Sequence, residues 1–507
     1  MNSSGNLIHL LGTHFPGFWN LVNRSPALRR WLSKRAINGA IRRGPFRPHP
    51  LSLLSDYTSW DSLTDRSYTG RHLPPVPPGA LPPIDQVLKL FEYRNHTWKR
   101  SAKSTLLFAY FAQWFTDGFL RTDRADRRRN TSNHDIDLSP LYGLNRDQTH
   151  VLLSMAGGRL DSQTIQGEEY PPYLYAGGAP NPKYTGLNMV IPDWLSLERR
   201  EKLFAMGGDR ANVTIGYAMF NVLFLREHNR ICGELQRANP SWDDERIFQT
   251  ARNVLIAILV KLVIEEYINH ITPEYFDLIA DPLAFTNEPW YRQNWMTVEF
   301  NLLYRWHSLT PPLILYDGRS LDARDTMFHN DLITSRGLGP LMDEASSQPC
   351  GEIGLHNTMD PLVQDAEKPS IEQGRSAHLA SYNDYRAMCQ LPRATRFDEI
   401  TRDTAVQREL ASLYHHVDNV EFYTGLFAED TVFNGVLPEL MTCMVAFDAF
   451  SQALTNPLLS HRVFHEETFS LGGMAMIRST NSLTEILHRN IPSQGQRYRV
   501  SLTRLDR

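Results

Sequence analysis

From about residue 85 onward, apolar residues return every three or four positions, the spacing of helices with one buried face. The longest such stretches are 104–120, 211–237, 243–271, 295–309, 405–428 and 436–456. Alternating, strand-like runs are sparse, and no internal repeat is present. Segments 121–150, 158–195 and 335–375, rich in Gly, Pro, Asp and Asn, are expected to be loops. The pattern therefore predicts a mainly helical catalytic domain over 85–507. Its most apolar run, Val254 to Ile264, contains Lys261 and leads straight into Glu265 and Glu266. A run so short and charged is expected not to span a bilayer.

The preceding sequence has a different character. Residues 1–55 contain no Asp or Glu, yet carry Arg24, Arg29, Arg30, Lys34, Arg35, Arg42, Arg43 and Arg47. Between them stand Leu10, Leu11, Phe15, Phe18, Trp19, Leu21, Leu28, Trp31 and Ile37. Short helices of this kind suit a membrane interface, where apolar side chains enter the acyl region and arginines meet anionic head groups. They equally suit a basic arm packed on the protein's own core. Residues 56–84 form a connector whose prolines, from Pro74 to Pro83, exclude a helix. The first apolar stretch is broken by histidines, and its positive charges follow it, unlike a secretory signal. A peripheral membrane or cytoplasmic location is expected.

Composition adds mostly exclusions. With 42% hydrophobic and 21% charged residues in 507, the chain has the makings of a large core. A net charge of -4 argues against nucleic acid as a partner. Cys232, Cys350, Cys389 and Cys443 form no CxxC pair, so neither a zinc site nor a disulfide framework is indicated.

The chemistry gathers in Glu299-Phe-Asn-Leu-Leu-Tyr-Arg-Trp-His-Ser-Leu-Thr-Pro-Pro. If 299–309 is helical, Tyr304 and His307 stand at i and i+3 and share a face. A neutral imidazole can bind iron through one nitrogen while a neighbouring group orients the other. A tyrosine one turn away can then be oxidised without touching the metal. Alone, such a pair is more often two packing residues.

The segment resembles the proximal helix of the animal prostaglandin-endoperoxide synthases, the cyclooxygenases of the haem peroxidase superfamily. The likeness extends through Thr13-His-Phe-Pro-Gly-Phe-Trp-Asn, Tyr57-Thr-Ser-Trp, Phe111-Ala-Gln-Trp-Phe-Thr, Asp137-Leu-Ser-Pro-Leu-Tyr-Gly and Leu225-Arg-Glu-His-Asn-Arg. It continues through Ile264-Glu-Glu-Tyr, Glu421-Phe-Tyr and Leu471-Gly-Gly, in the same order. The resemblance implies an animal-type haem peroxidase fold with short N-terminal amphipathic membrane-binding helices. It also implies a dioxygenase that uses a tyrosyl radical to take hydrogen from a polyunsaturated fatty acid and then adds O2. A peroxidase oxidising small donors with H2O2 is the alternative, and a homodimer is a common assembly among these relatives. With four cysteines, no epidermal-growth-factor module of the animal enzymes is expected.

Residue by residue, His307 matches the proximal iron ligand, and Tyr423 the tyrosine that hydrogen-bonds it. Tyr304 matches the radical-forming tyrosine, and Tyr267 its hydrogen-bonding neighbour. By position Ile268, Ile271, Thr272, Leu303 and Val445 line the fatty-acid channel, and Arg42 or Arg43 is the carboxylate partner at its mouth, where Glu439 also matches. Gln113 matches the distal glutamine, and Asp117 stands where the relatives carry the distal histidine. Arg210, sixteen residues before Arg226, matches the distal arginine of the myeloperoxidase branch. A one-residue slip would instead make Asp117 a calcium ligand with Asp137 and Ser139, the less favoured reading. Thr116 and Val213 occupy the positions of haem ester links in that branch, so a non-covalent haem b is implied.

Overall fold

The computed structural model describes residues 12–44, 52–77, 79–93, 97–492 and 497–505. Leu10, Leu11 and Arg47 of the arm lie outside the described residues, as does Pro78 of the connector. Ten helices position the site: α1 (Pro16–Asn23), α2 (Pro26–Ile41), α3 (Leu106–Thr116), α4 (Ile215–Ala238), α5 (Asp244–Leu262), α6 (Val298–Leu303), α7 (Lys368–Ser376), α8 (Phe422–Ala428), α9 (Glu439–Leu454) and α10 (Glu466–Ser479). Strands occur among the described residues only as two-stranded antiparallel pieces, such as Arg100–Thr105 against Pro349–Gly351.

The centre is the antiparallel pair α4 and α5. Thr214 caps α4 by accepting from the Tyr217 amide, and Asp243 caps α5 by accepting from the Arg246 amide. Asp244 and Glu245 in the first turn of α5 complement the positive end of its dipole. α3 packs on α4, and α10 packs on α5. α5 does not end at Leu262. It passes through a π-helical turn, Val263–Ile268, into a last turn, Asn269–Ile271. The whole run, Asp244–Ile271, passes for a membrane span by length and composition alone, as the core helix of a protein also can. Here 78% of its most apolar window is buried against the rest of the protein.

Two sequence expectations fail because polar composition masks period. The stretch 335–375 is largely helical, with Leu338–Ser347, a π turn at Val363–Glu367, and α7. In the first of these, Leu338, Leu341, Met342 and Ala345 face inward at helical spacing. The expected helix 405–428 is instead two, Thr404–Tyr414 and α8, separated where His415 takes a positive φ of 62°.

The N-terminal arm packs one face on the domain and leaves apolar side chains exposed on the other. Val22, Ser33, Ile37 and Ile41 point inward, and α2 lies on α9. Asn38 accepts from Trp290 Nε1 at 2.8 Å and donates to Glu288 at 3.0 Å, fixing α2 to the domain. On the other side Phe15, Phe18, Leu21, Leu28 and Trp31 are exposed.

Candidate active site

The segment carrying Tyr304 and His307 is not one helix. Thr297 caps α6 by accepting from the Phe300 amide, and six residues later the helix ends at Tyr304, with φ −102° and ψ 18°. His307 opens a separate 3-10 turn, His307–Leu309. The pair is therefore not phased on a common helical face. Side chains and a crossing strand hold the break instead. Trp306 lies 4.7 Å from the Tyr304 ring and 6.0 Å from Phe108, between centroids. Arg305 bonds Asn301 across the break. Gly351 crosses so near that a Cβ there would lie 1.9 Å from the Ser308 carbonyl oxygen, so only glycine lets the strand press against the turn.

His307 meets a residue that the sequence did not single out. Its Nδ1 lies 3.1 Å from Oε1 of Glu367, close but not aligned as a hydrogen bond. Thr358 donates to the same oxygen at 3.0 Å, and Tyr423 donates to Oε2 at 2.5 Å. Tyr423 thus reaches His307 only through Glu367, which corrects the direct bond implied by the resemblance. Glu367 is 1% exposed at the end of its π turn, whereas the His307 side chain keeps 19% exposure. Burial, then the Glu367 charge, raises the Tyr423 phenol well above its ordinary value, so it stays a proton donor.

Tyr304 sits beside Tyr267, which projects from the π turn after α5. Burial, then Tyr304, raises the Tyr267 phenol, and the Tyr267 hydroxyl acts as donor toward Tyr304 without reaching aligned hydrogen-bond geometry. Burial, then the charge of Asp448, raises Tyr304 as well. Asp448 is paired at 3.0 Å with His72, and both side chains are wholly buried. Phe108, Phe111 and Phe115 of α3 surround the Tyr267 ring at 5.4–5.8 Å.

On the other side of α3, Gln113 is its one exposed residue and accepts from Thr214 at 2.8 Å. Asp117, one turn on, pairs with Arg210 at 2.9 Å through Oδ1. Its Oδ2 accepts from Tyr217 at 2.9 Å and from Arg121 at 3.3 Å. A carboxylate held by three donors is poorly placed both to take a proton and to bind a cation. Asp137 and Ser139 bond through the Ser139 amide at 2.8 Å, and Ser139 donates to the Gly118 carbonyl rather than approaching Asp117.

Arg305 ties the two sides together. Burial, then repulsion from Arg210, lowers its guanidinium to about 10, and it also feels Asp117, Tyr423 and Glu367. Tyr304, Arg305, His307, Arg210 and Thr214 all retain accessible surface although desolvation dominates the shifts of Tyr304 and Arg305. His307 keeps 19% exposure with a carboxylate beside Nδ1, which leaves Nε2 to serve as a ligand nitrogen oriented from its other side. Among the described residues no three His, Cys, Asp or Glu side chains gather to hold a bare ion, so a metal at His307 would need ligands brought by its own cofactor. Arg210 and Arg305 supply positive charge for the carboxylates of such a group. These residues fit a haem.

Of the expected channel residues, Ile268, Ile271, Leu303 and Val445 are all buried in the core, at 5% exposure or less. Thr272 ends the last turn after α5, and its carbonyl accepts from Lys103 at 2.7 Å. At the expected mouth the two arginines diverge. Arg42 is occupied by Glu288 at 3.0 Å, whereas Arg43 lies beside the Cys443 thiol on α9. Glu439 pairs with Arg386 at 3.3 Å.

Comparison with known proteins agrees with this architecture. Residues 82–500 match the family model of the animal haem peroxidases. Prostaglandin G/H synthase 2 of Equus caballus is 31% identical over 501 residues, 96% of this chain and 81% of that protein. Prostaglandin G/H synthase 1 of Mus musculus is 30% identical over 482 residues, 92% of this chain and 78% of that protein. Among solved structures, fatty acid alpha-dioxygenase of Oryza sativa superposes with a TM-score of 0.69 at 16% identity, covering 100% of this chain and 98% of that one. Peroxidase A of Dictyostelium discoideum gives 0.69 at 18% identity, covering 91% and 99%. The structural likenesses speak for the fold, while the family match spans most of the sequence. The chain, mainly helical and matched over most of its length, belongs to the animal haem peroxidase family of oxidoreductases, whose cofactor is haem.

Proposed function

We propose that this protein is a haem-dependent fatty-acid dioxygenase that forms a radical on Tyr304, takes hydrogen from a polyunsaturated acyl chain and adds O2. The observation that carries this reading is the placement of Tyr304. It is desolvated, three residues before His307, and faced by the Tyr267 hydroxyl. A haem here would be held non-covalently, since neither Thr116 nor Val213 carries a carboxylate that could form an ester link. His307 would hold the iron through Nε2, and Arg210 and Arg305 would supply positive charge for the carboxylates of the group.

Bound haem, with a hydroperoxide as the oxidant that primes it, would supply the one-electron oxidation of Tyr304. Burial keeps the Tyr304 phenol protonated at rest, so electron and proton leave together. The Tyr267 hydroxyl, directed at the Tyr304 oxygen, stabilises the phenoxyl form and fixes its position. The phenoxyl oxygen takes a hydrogen atom from a bis-allylic C–H, leaving a carbon radical and restoring the phenol. O2 adds to the carbon radical, and the resulting peroxyl takes the hydrogen back from Tyr304. The product is a hydroperoxide, or an endoperoxide if the peroxyl first closes on a second double bond. Ile268, Ile271, Thr272, Leu303 and Val445 provide the apolar setting an acyl chain requires. Arg43 is the better carboxylate partner, because Arg42 is already paired. Oxidation of small donors by H2O2 is the weaker reading, since both oxygens of Asp117 are occupied.

Oxygen uptake by haem-reconstituted protein across C18 and C20 polyunsaturated fatty acids, with product analysis, tests the proposal. Tyr304→Phe should bind haem normally and fall to background uptake. Uptake near the wild-type rate in that variant overturns it.

A further inference from the structure

We infer that Glu367 is the positioning residue of the iron ligand: it accepts the Nδ1 proton of His307 and makes the imidazole a stronger electron donor to bound haem. The inference deepens the proposed function and rests on His307 being the iron ligand.

Three observations converge on it. First, Glu367 Oε1 is 3.1 Å from Nδ1, within ion-pair range and a small rotation short of an aligned hydrogen bond. An imidazole has one proton to place, and a carboxylate beside Nδ1 draws it there, leaving the Nε2 lone pair for a metal. Second, the carboxylate is itself held from two sides. Thr358 donates to Oε1 at 3.0 Å and Tyr423 to Oε2 at 2.5 Å, so a buried charge is kept in one orientation. Third, the carboxylate is delivered by a π turn, Val363–Glu367, immediately before α7. π turns are rare and concentrate at functional sites, because the extra residue re-aims a side chain that a regular helix would direct elsewhere. Arg305, lowered to about 10 chiefly by burial, donates to Asn301 and Thr122 rather than to Glu367.

The consequence is electronic. Sharing the Nδ1 proton with a carboxylate gives the ring partial imidazolate character. That stabilises ferric over ferrous iron, lowers the reduction potential and strengthens the iron–nitrogen bond. Tyr423 opposes the effect by drawing charge toward Oε2. Removing the carboxylate and removing the tyrosine should therefore shift the potential in opposite directions. Were Tyr423 the direct partner of His307, Glu367→Gln would do little.

The test is spectroelectrochemical titration of haem-reconstituted protein without fatty acid, with resonance Raman measurement of the iron–histidine stretch in the ferrous form. Glu367→Gln should raise the midpoint potential and lower the stretching frequency. Glu367→Asp, which keeps the charge but withdraws it by one methylene, should give a smaller shift in the same sense. Tyr423→Phe should lower the potential. Unchanged potential and frequency in a haem-binding Glu367→Gln protein overturn the inference. So does a Tyr423→Phe shift equal in sign and size to that of Glu367→Gln. If Glu367→Gln does not fold, Glu367→Asp and Tyr423→Phe decide it by the same signs. None of these readings depends on oxygenation. A failure here, with Tyr304→Phe still losing oxygen uptake, removes Glu367's role and leaves the proposed reaction standing.

Discussion

Asp117 shows how much a residue's partners alter its meaning. By position it stands where relatives carry a distal base, yet Arg210, Arg121 and Tyr217 all donate to it. Deleting one member of a buried charge cluster strands the others, a loss on the order of 3 kcal/mol. Asp117→Ala should therefore lower the unfolding free energy by roughly that amount in a denaturant titration. A change near zero would mean that the two arginines and the tyrosine find other acceptors, and that the aspartate is free to act as a base. Sequence exposed the identities Gln113, Asp117, Arg210, Tyr267, Tyr304 and His307, because each lies within a short recognisable stretch. It could not expose Glu367 or the His72–Asp448 pair. Glu367 stands sixty residues beyond His307 in a polar segment that reads as solvent-facing, and the two meet only through the tertiary fold.

Among the elements, the arm and the Tyr304 segment carry the clearest lessons. Apolar period foretold helical structure in both, but not where each helix would stop. The expected helix 295–309 breaks at Tyr304 because Trp306 packs inward against Phe108 and Gly351 presses on the Ser308 carbonyl, contacts that lie outside the segment. The arm is helical, and its inner face follows from Ile37 and Ile41 packing toward α9. Its outer face, Phe15, Phe18, Leu21, Leu28 and Trp31, is apolar, exposed and accompanied by Arg24, Arg29, Arg30 and Arg35. Such a surface should enter the acyl boundary of a bilayer, with affinity for anionic lipid that salt weakens only in part. Co-sedimentation with phosphatidylserine vesicles should fall at least about tenfold when Phe18 and Trp31 are both replaced by serine, on the scale of apolar burial lost. Equal sedimentation would leave the arm with a structural role only.

At the scale of the whole molecule, Arg305 lies within electrostatic reach of both Tyr423 and Glu367 on one side of the site and Asp117 and Arg210 on the other. A ligand bound at such a site stabilises the folded state by mass action, about 2.7 kcal/mol at a hundredfold excess over its dissociation constant. Haem should therefore raise the thermal midpoint by a few degrees, and His307→Ala should lose most of that rise; an undiminished rise would place the iron ligand elsewhere. The two π turns have a further consequence, in the language of inheritance. Each places one extra residue in a helix, and each carries a side chain facing the chemistry, Tyr267 in one and Glu367 in the other. Losing a single codon from either turn would leave an ordinary, stable helix and turn everything beyond it by about 100°. Lineages of this protein can thus lose the reaction without losing the fold, and a chain shorter by one residue at either place would mark where that had happened.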